Sequence, residues 1–395
     1  MRRLVVLLAI ALLALLVPAG CGADSARDDL LELLARRSGE VETISYTCAT
    51  EDAGRLYREE FELGFPDHYR YRLYQYESGM ARLRNFTAQA GTDLYRARVI
   101  QDPGDGSDHL QVETFAGVPP LRCTGNYLAL YHLVGNADFF QSMISLIRGG
   151  QLEVTGEEDV EGTRTYRLDS APGLTPSMRI WLDAATGLPL RKEISLSEDR
   201  AVAFRYEDYV ENAVYPDEPF PSDPLPLFGG PAMSVDVVTR DGACRATDIA
   251  GASAEAGFEP LMPRIDGFGL AAVYVRDPAA SNLSGSEELT KFPEGFRELY
   301  LVLRNGTRQV EIRETPYSED FSYYTTSMGA LSGAYLTGQE TFGEDAANAT
   351  YTAAMDCQEM RLVLGETELV VTGDLSREEF ESLAVQLKEL SRSSP

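Results

Sequence analysis

Five cysteines are the residues of this chain with the clearest potential for covalent chemistry, and their number is odd. Cys21 lies apart from the others, directly after an uncharged apolar run. The remaining four are spread along the chain: Cys48, Cys123, Cys244 and Cys357. An even set of cysteines favours disulfides in an exported protein, and one left over indicates a thiol with a different role. Cys21 is therefore expected to differ chemically from the other four.

The first 20 residues predict an export signal. Arg2 and Arg3 precede residues 4–17, an uncharged segment too short to span a bilayer but suited to the apolar region of a signal. The segment LLVPAGCGADS resembles a bacterial lipoprotein signal, although Pro18 stands where that pattern usually has leucine. The resemblance implies a signal peptide over 1–20, acylation of Cys21 (palmitate or a similar chain) and a tether over 21–25. A plain secretory signal is the alternative.

The other four cysteines have three possible disulfide pairings once Cys21 is a thioether. We favour Cys48–Cys123 and Cys244–Cys357, because a proline-rich segment separates the two pairs. The alternative is four buried free thiols, since cysteine often packs as a small apolar residue.

Composition limits the possible partners. The net charge is −27, which would repel a nucleic-acid backbone, so no nucleic-acid partner is expected. Hydrophobic residues make up 44 % of the chain, enough to form a core.

Catalytic motifs are not found in the sequence. The three histidines, His68, His109 and His132, are far apart, and no nucleophile elbow or phosphate-binding loop is present. We therefore expect no metal, no cofactor and no enzymatic activity.

Hydrophobic spacing predicts two domains. A helix over 26–37 is followed by several strands, then by two short helices within 127–148, then by more strands. Six prolines within 216–231 predict an extended linker. The second domain, 232–395, is predicted to hold a hairpin turn at Asn305-Gly306 and a last helix preceded by a capping box, Ser376 and Glu379.

Three segments of the first domain resemble the LolA/LolB-like superfamily, which includes lipid-binding and sporulation or germination lipoproteins. These are FPDHYR at 65–70, VEGTRTYRL at 160–168 and IWLDAATGLPLR at 180–191. The resemblance covers 26–215. More weakly, 255–263 and 371–380 resemble a C-terminal domain of unknown function attached to such lipoproteins.

The resemblance implies an α+β fold class: an N-terminal incomplete antiparallel β-barrel with a helical lid over an apolar cavity, followed by a smaller α+β domain. Apolar residues at strand and helix spacing are the candidates for lining that cavity, the alternative being a closed core. They are Ile44, Tyr46, Phe61, Leu63, Tyr69, Tyr71, Leu73, Phe139, Phe140, Met143, Ile144, Ile147 and Trp181.

Two functions are compatible with these observations. The first is a lipid-anchored protein on the extracytoplasmic face of a bacterial cell membrane, in the periplasm or its equivalent, that binds lipid or an acylated ligand in the cavity. The second is a non-enzymatic envelope sensor, or a sporulation- or germination-type module, that binds a partner protein.

Overall fold

The structure is a computed structural model of the 395-residue chain. It describes all residues except 1–19, 39, 53, 65–67, 102–105, 118–138, 173–176, 198–199, 215–219, 222, 229–232, 282–291, 293–294, 307, 318–335, 355–357, 374 and 394–395. The predicted signal, His132, Cys123 and Cys357 therefore lie outside the described residues.

Four α-helices occur in the described residues: α1 (Gly20–Ser38), α2 (Phe139–Arg148), α3 (Ile249–Ala256) and α4 (Arg377–Ser393). Residues 21–25, predicted to be a tether, are instead part of α1. Of the two helices predicted within 127–148, the structure shows the second as α2, and 127–138 is not described. Within the described ranges, no helix is both long enough and apolar enough to cross a membrane.

Twelve strands form the first sheet. They are β1 (Thr43–Asp52), β2 (Arg55–Gly64), β3 (His68–Glu77), β4 (Met80–Ala90), β5 (Asp93–Gln101), β6 (Asp108–Ala116), β7 (Leu152–Val160), β8 (Thr163–Ser170), β9 (Ser177–Asp183), β10 (Pro189–Ser197), β11 (Arg200–Glu211) and β12 (Val235–Asp241). Their order is β12-β6-β5-β4-β3-β2-β1-β11-β10-β9-β8-β7. The sheet is open and antiparallel except for β12, which lies parallel to β6. The predicted incomplete barrel is therefore an open sheet. The long-range pairing of β1 with β11 joins strands β1–β6 to strands β7–β11.

The described part of the proline-rich segment predicted as a linker, residues 220–221 and 223–228, packs against the first sheet. Phe220, Leu225 and Phe228 cover the sheet face that carries Phe86 and Tyr95, and the rings of Tyr95 and Phe220 stack at 5.9 Å. The chain then adds β12 to the same sheet. Residues 235–241, predicted to begin the second domain, thus belong to the first sheet.

Eight strands form the second sheet. They are β13 (Cys244–Thr247), β14 (Gly269–Arg276), β15 (Glu298–Asn305), β16 (Arg308–Pro316), β17 (Leu336–Thr341), β18 (Thr350–Ala354), β19 (Gln358–Leu364) and β20 (Thr367–Gly373). Their order is β13-β14-β15-β16-β20-β19-β18-β17. Alternate residues of β15 and β16 form a core with the apolar side of α4, including Leu301, Ile312 and Phe380. The opposite face is charged, yet it is also buried, as Glu298, Glu311 and Arg313 illustrate.

The two sheets meet at a short junction. The chain passes from β12 to β13 through two residues, and the Cys244 N–H donates to the Gly117 carbonyl, which follows β6. The Gly242 N–H donates to the Ala116 carbonyl, so this connection is hydrogen-bonded to the end of β6.

Gly117→Ala is expected to destabilise this junction. Gly117 has φ +58°, and an added Cβ would lie 2.6 Å from the Cys244 carbonyl oxygen. The left-handed backbone alone costs alanine about 1–2 kcal/mol, and the overlap adds to that. Gly54→Ala is the matched control, because Gly54 has φ +76° and nothing within 4 Å of an added Cβ. Urea unfolding should show a larger loss for Gly117→Ala, and equal losses would contradict the assigned contact.

Candidate functional site

The inner face of the first sheet, defined as the face that packs against α1 and α2, carries the candidate site. Strand register places Tyr46, Phe61, Tyr71, Thr87 and Arg96 in one row from β1 to β5. Residues directly opposite in neighbouring strands share a face, so this row is apolar on β1–β3 and polar on β4 and β5. We name β1–β3 with β7–β11 the apolar half of the inner face. We name β4–β6 with β12 the polar half, which also carries Leu94 and Phe115.

The apolar half brings together most of the residues predicted to line a cavity. Eleven of the thirteen lie in one continuous buried cluster with α1 and α2: Ile44, Tyr46, Phe61, Leu63, Tyr69, Tyr71, Phe139, Phe140, Met143, Ile144 and Ile147. Leu73 packs at its edge. The helices and the inner face therefore share one apolar layer.

Trp181 is the exception. On β9 the inner-face residues are Ile180 and Leu182, and Trp181 points to the other side of the sheet. Its ring lies between the guanidinium groups of Arg179 and Arg191, and its N–H donates to the Glu158 carboxylate. The prediction that it packs inward with the other candidates is wrong, because β9 is buried on both faces and its sequence hides the alternation.

A tight turn joins β9 to β10 within the segment IWLDAATGLPLR. Asp183 Oδ1 accepts from the Ala185 N–H at 2.7 Å, and Gly187 adopts φ +72°. An added Cβ on Gly187 would lie 3.1 Å from Leu34, so the turn packs closely on α1. Pro189 begins β10, which lies inside the sheet.

Polar contacts attach α1 to the sheet and α2 to α1. Arg37 donates to the Thr186 carbonyl at 3.3 Å and forms an ion pair with Glu211 on β11. Gln141 on α2 donates to Ser38 Oγ at 2.7 Å. In the described contacts, the attachment of α2 to the sheet itself is therefore apolar.

A group of polar side chains is buried within the apolar half. Glu59 accepts from Thr50 Oγ1 at 2.9 Å and from the Tyr71 hydroxyl at 3.2 Å. Lys192 is fully buried, with Nζ 5.0 Å from the centre of the Phe204 ring. Ionisable side chains are seldom buried in an apolar core, so this part of the inner face is more than a simple apolar core.

Three tyrosine hydroxyls in this layer are buried without a hydrogen-bond partner: those of Tyr46, Tyr69 and Tyr206. Burial raises the pKa of each hydroxyl well above its ordinary value, so all three are neutral donors. A buried donor with no acceptor costs about 1–3 kcal/mol. The layer can therefore satisfy a ligand that brings carbonyl or ether oxygens into it.

Neither predicted disulfide is seen in the described residues, where Cys48 and Cys244 are buried free thiols. Their predicted partners, Cys123 and Cys357, lie outside the described residues. Burial, with a smaller effect of Glu59, raises the pKa of Cys48, and burial raises that of Cys244 to about 12. Neither is a reactive thiolate at neutral pH.

The two described histidines are not brought together. His68 begins β3, and His109 on β6 has Nε2 3.9 Å from Asp236 Oδ2. In the part of the chain that the structure describes, no group of three metal-ligating side chains occurs.

The polar half contains residues that the sequence did not single out. Arg96 and Arg98 on β5 and Arg240 on β12 surround Glu113 on β6, with nitrogen-to-oxygen distances of 3.6, 3.9 and 3.5 Å respectively. The first and last of these arginines are more than 140 positions apart, so no local pattern links them.

No protein-family model matches the chain, and the search of curated proteins finds no match. Among solved structures, the chain is similar to the MucA/MucB complex of Pseudomonas aeruginosa, with 16 % identity, coverage of 92 % of this chain and 98 % of that one, and a TM-score of 0.30. An uncharacterised conserved protein from Thermus thermophilus has 10 % identity, coverage of 53 % and 98 %, and a TM-score of 0.29. A LolA superfamily protein from Nitrosomonas europaea has 11 % identity, coverage of 47 % and 94 %, and a TM-score of 0.22. LolA superfamily proteins are thus among the solved structures to which this chain is similar.

Proposed function

We propose that this chain is an exported, non-catalytic binding protein that holds the acyl chains of a lipid between α2 and the inner face of the first sheet. The observation that carries the proposal is the set of three buried tyrosine hydroxyls without acceptors. The ester carbonyls of an acyl lipid would supply those acceptors, and its chains would replace apolar contacts with other apolar contacts.

The short length of α2 supports the replacement of its contacts with the sheet by acyl chains. It has ten residues, too few for a helix to be stable in water without packing partners. It has six buried side chains, which gain about 12 kcal/mol in total from burial at about 2 kcal/mol each: Phe139, Phe140, Met143, Ile144, Leu146 and Ile147. A 16-carbon chain gains about 12 kcal/mol at about 0.8 kcal/mol per CH₂. The two terms nearly balance, which suits a reversible carrier.

The lipid anchor at Cys21 belongs to the same proposal. Acylation there would attach the first turn of α1 to the membrane, and two or more acyl chains make such attachment stable. Arg37, near the other end of α1, contacts the sheet. The apolar half of the inner face would therefore be held close to the membrane, which supplies the lipid.

Tyrosine-to-phenylalanine substitutions test the proposal. In a Cys21→Ala background, Tyr46→Phe, Tyr69→Phe and Tyr206→Phe together should raise the melting temperature, because three unpaired donors are removed. The same variant should bind dioctanoylglycerol more weakly, by about fivefold for each hydrogen bond of about 1 kcal/mol that is lost.

Tyr71→Phe is the matched control, because its hydroxyl already donates to Glu59. This variant should lose stability without the specific loss of affinity. Titration calorimetry and thermal unfolding measure both effects. A triple variant that gains stability but keeps its affinity, or a wild-type protein that binds no lipid, would reject the proposal.

A second candidate function is the binding of a partner protein, and the outer edge of β12 favours it. This strand ends the first sheet, and 66 % of the Val237 side chain is exposed. An edge strand can pair with an extended segment of another chain. Capture of a single stoichiometric protein from detergent-solubilised membranes, lost on Val237→Lys, would support this function over lipid binding.

A further inference from the structure

We infer that Arg96, Arg98 and Arg240, named here the arginine cluster, bind the phosphate of an anionic lipid whose acyl chains lie in the apolar half. The inference rests on the proposed function and adds to it the chemical class of the headgroup. It would make the protein selective for phosphate-bearing lipids over neutral ones.

Strand register places the arginine cluster on the same face as the apolar layer. Arg96 lies in the row of Tyr71 and Thr87, two strands from Tyr71. Arg240 lies in the row of Tyr69, which runs through Gln89, Leu94 and Phe115. Arg96 is thus about 10 Å from Tyr71 across the sheet, and Arg240, four strands from Tyr69, is about 19 Å from it. A lipid with its ester groups near Tyr69 and Tyr71 would bring its phosphate first to the Arg96 side of the cluster.

The charge of the cluster favours an anion. Three guanidinium groups surround one carboxylate, Glu113, so these four side chains carry a formal charge of +2 in a protein of net charge −27. Glu113 is buried, whereas the side chains of Arg96, Arg98 and Arg240 are 36 %, 44 % and 22 % exposed. Glu113 Oε2, the oxygen that faces Arg96 and Arg98, forms no hydrogen bond, so it holds neither of these two guanidinium groups in a tight pair.

Other contacts orient the cluster and leave it accessible. Arg98 Nε donates to Gln111 Oε1 at 2.8 Å, and the Arg96 guanidinium lies 5.8 Å from the centre of the Phe115 ring. Asp236 lies on the same face of β12, and its Oδ2 is 3.9 Å from His109 Nε2. Planar guanidinium groups fit phosphate oxygens in a bidentate manner, which makes phosphate the matching headgroup.

Adjacency to the apolar layer distinguishes a lipid from other anions. A free phosphate is too small to contact both the arginines and the unpaired hydroxyl of Tyr69, which lies at the boundary between the two halves. A nucleic acid would meet the acidic remainder of the surface.

The experiment compares two lipids that differ only in the phosphate: dioctanoyl phosphatidic acid and dioctanoylglycerol. Calorimetric titration of the Cys21→Ala protein should give at least tenfold tighter binding of the phosphatidic acid, and added salt should reduce that preference. The variant Arg96→Gln/Arg98→Gln/Arg240→Gln should lose the preference and keep its affinity for dioctanoylglycerol.

The matched control removes three arginines from the opposite face of the same sheet: Arg58→Gln/Arg191→Gln/Arg205→Gln. It changes the net charge equally and should keep the preference. Equal affinity of the wild-type protein for both lipids, or an unchanged preference in the cluster variant, would overturn this inference alone. Inorganic phosphate binding as tightly as phosphatidic acid would also overturn it. Binding of neither lipid would overturn it together with the proposed function.

Discussion

Arg276→Met should lower the free energy of unfolding by about 3–5 kcal/mol, the cost of leaving one member of a buried ion pair uncompensated. Arg276 Nη1 lies 2.8 Å from Glu298 Oε2, and the two side chains are only 4 % and 2 % exposed. The Tyr300 hydroxyl donates to the same carboxylate oxygen at 2.8 Å. Without Arg276, the Glu298 charge would remain inside the second sheet with one neutral donor.

The double variant Arg276→Met/Glu298→Met separates the ion pair from packing. It should recover at least half of the loss, because no charge is left buried. Recovery will be incomplete, since Arg276 Nε also donates to the Gly242 carbonyl at 3.0 Å in the junction between the sheets. Urea unfolding of both variants measures the effect. A loss below about 1 kcal/mol for Arg276→Met would show that the pair is solvated.

Stability should fall as pH rises from about 5 to about 8, because of Glu314. Burial raises the pKa of this carboxyl from 4.5 to about 8, and a hydrogen bond from the Leu261 N–H opposes the rise. The folded protein therefore retains a proton that the unfolded chain releases above its pKa of about 4.5. The contribution is fully present below pH 4.5 and is lost as pH rises through 8, by up to about 5 kcal/mol.

Glu314→Gln tests this dependence directly. The amide oxygen can still accept from the Leu261 N–H, at 3.0 Å from Oε1 in the wild type, but the side chain cannot ionise. The variant should show a flatter stability profile between about pH 5 and 8 and its greatest advantage near pH 8. Glu366→Gln, on an exposed turn of the same sheet, should leave the profile unchanged. Parallel profiles for wild type and Glu314→Gln would contradict the assignment.

Local signals in the sequence predicted the local structures well. Asn305-Gly306 predicted the hairpin of β15 and β16, and Gly306 has φ +60°. The capping box is formed as predicted: the Ser376 N–H donates to Glu379 Oε2 at 2.7 Å and the Glu379 N–H to Ser376 Oγ at 3.2 Å. In such motifs the residues that determine the geometry are neighbours in the chain, so their spacing is sufficient.

Structures that depend on distant residues were missed. The strand β6 carries alternating polar residues such as Gln111 and Glu113 on the inner face, and these do not resemble a strand facing a core. Glu158 lies within β7 and accepts from Trp181, 23 positions later, a contact that no local pattern indicates. The arginine cluster requires β12 to pair with β6, about 125 positions earlier in the chain, and the intervening prolines suggested a boundary there.

The pairing of β1 with β11 also determines when the first sheet can form. Cys48 on β1 lies opposite Tyr206 on β11. β1 therefore pairs with a strand that follows it by nearly 160 residues. Folding rates fall as contacts join more distant positions, because the intervening chain must be ordered first. We therefore expect slow refolding from denaturant, with a half-time in the millisecond-to-second range or longer. Such a delay would suit the export proposed above, because a translocation channel accepts an extended chain and not a folded sheet.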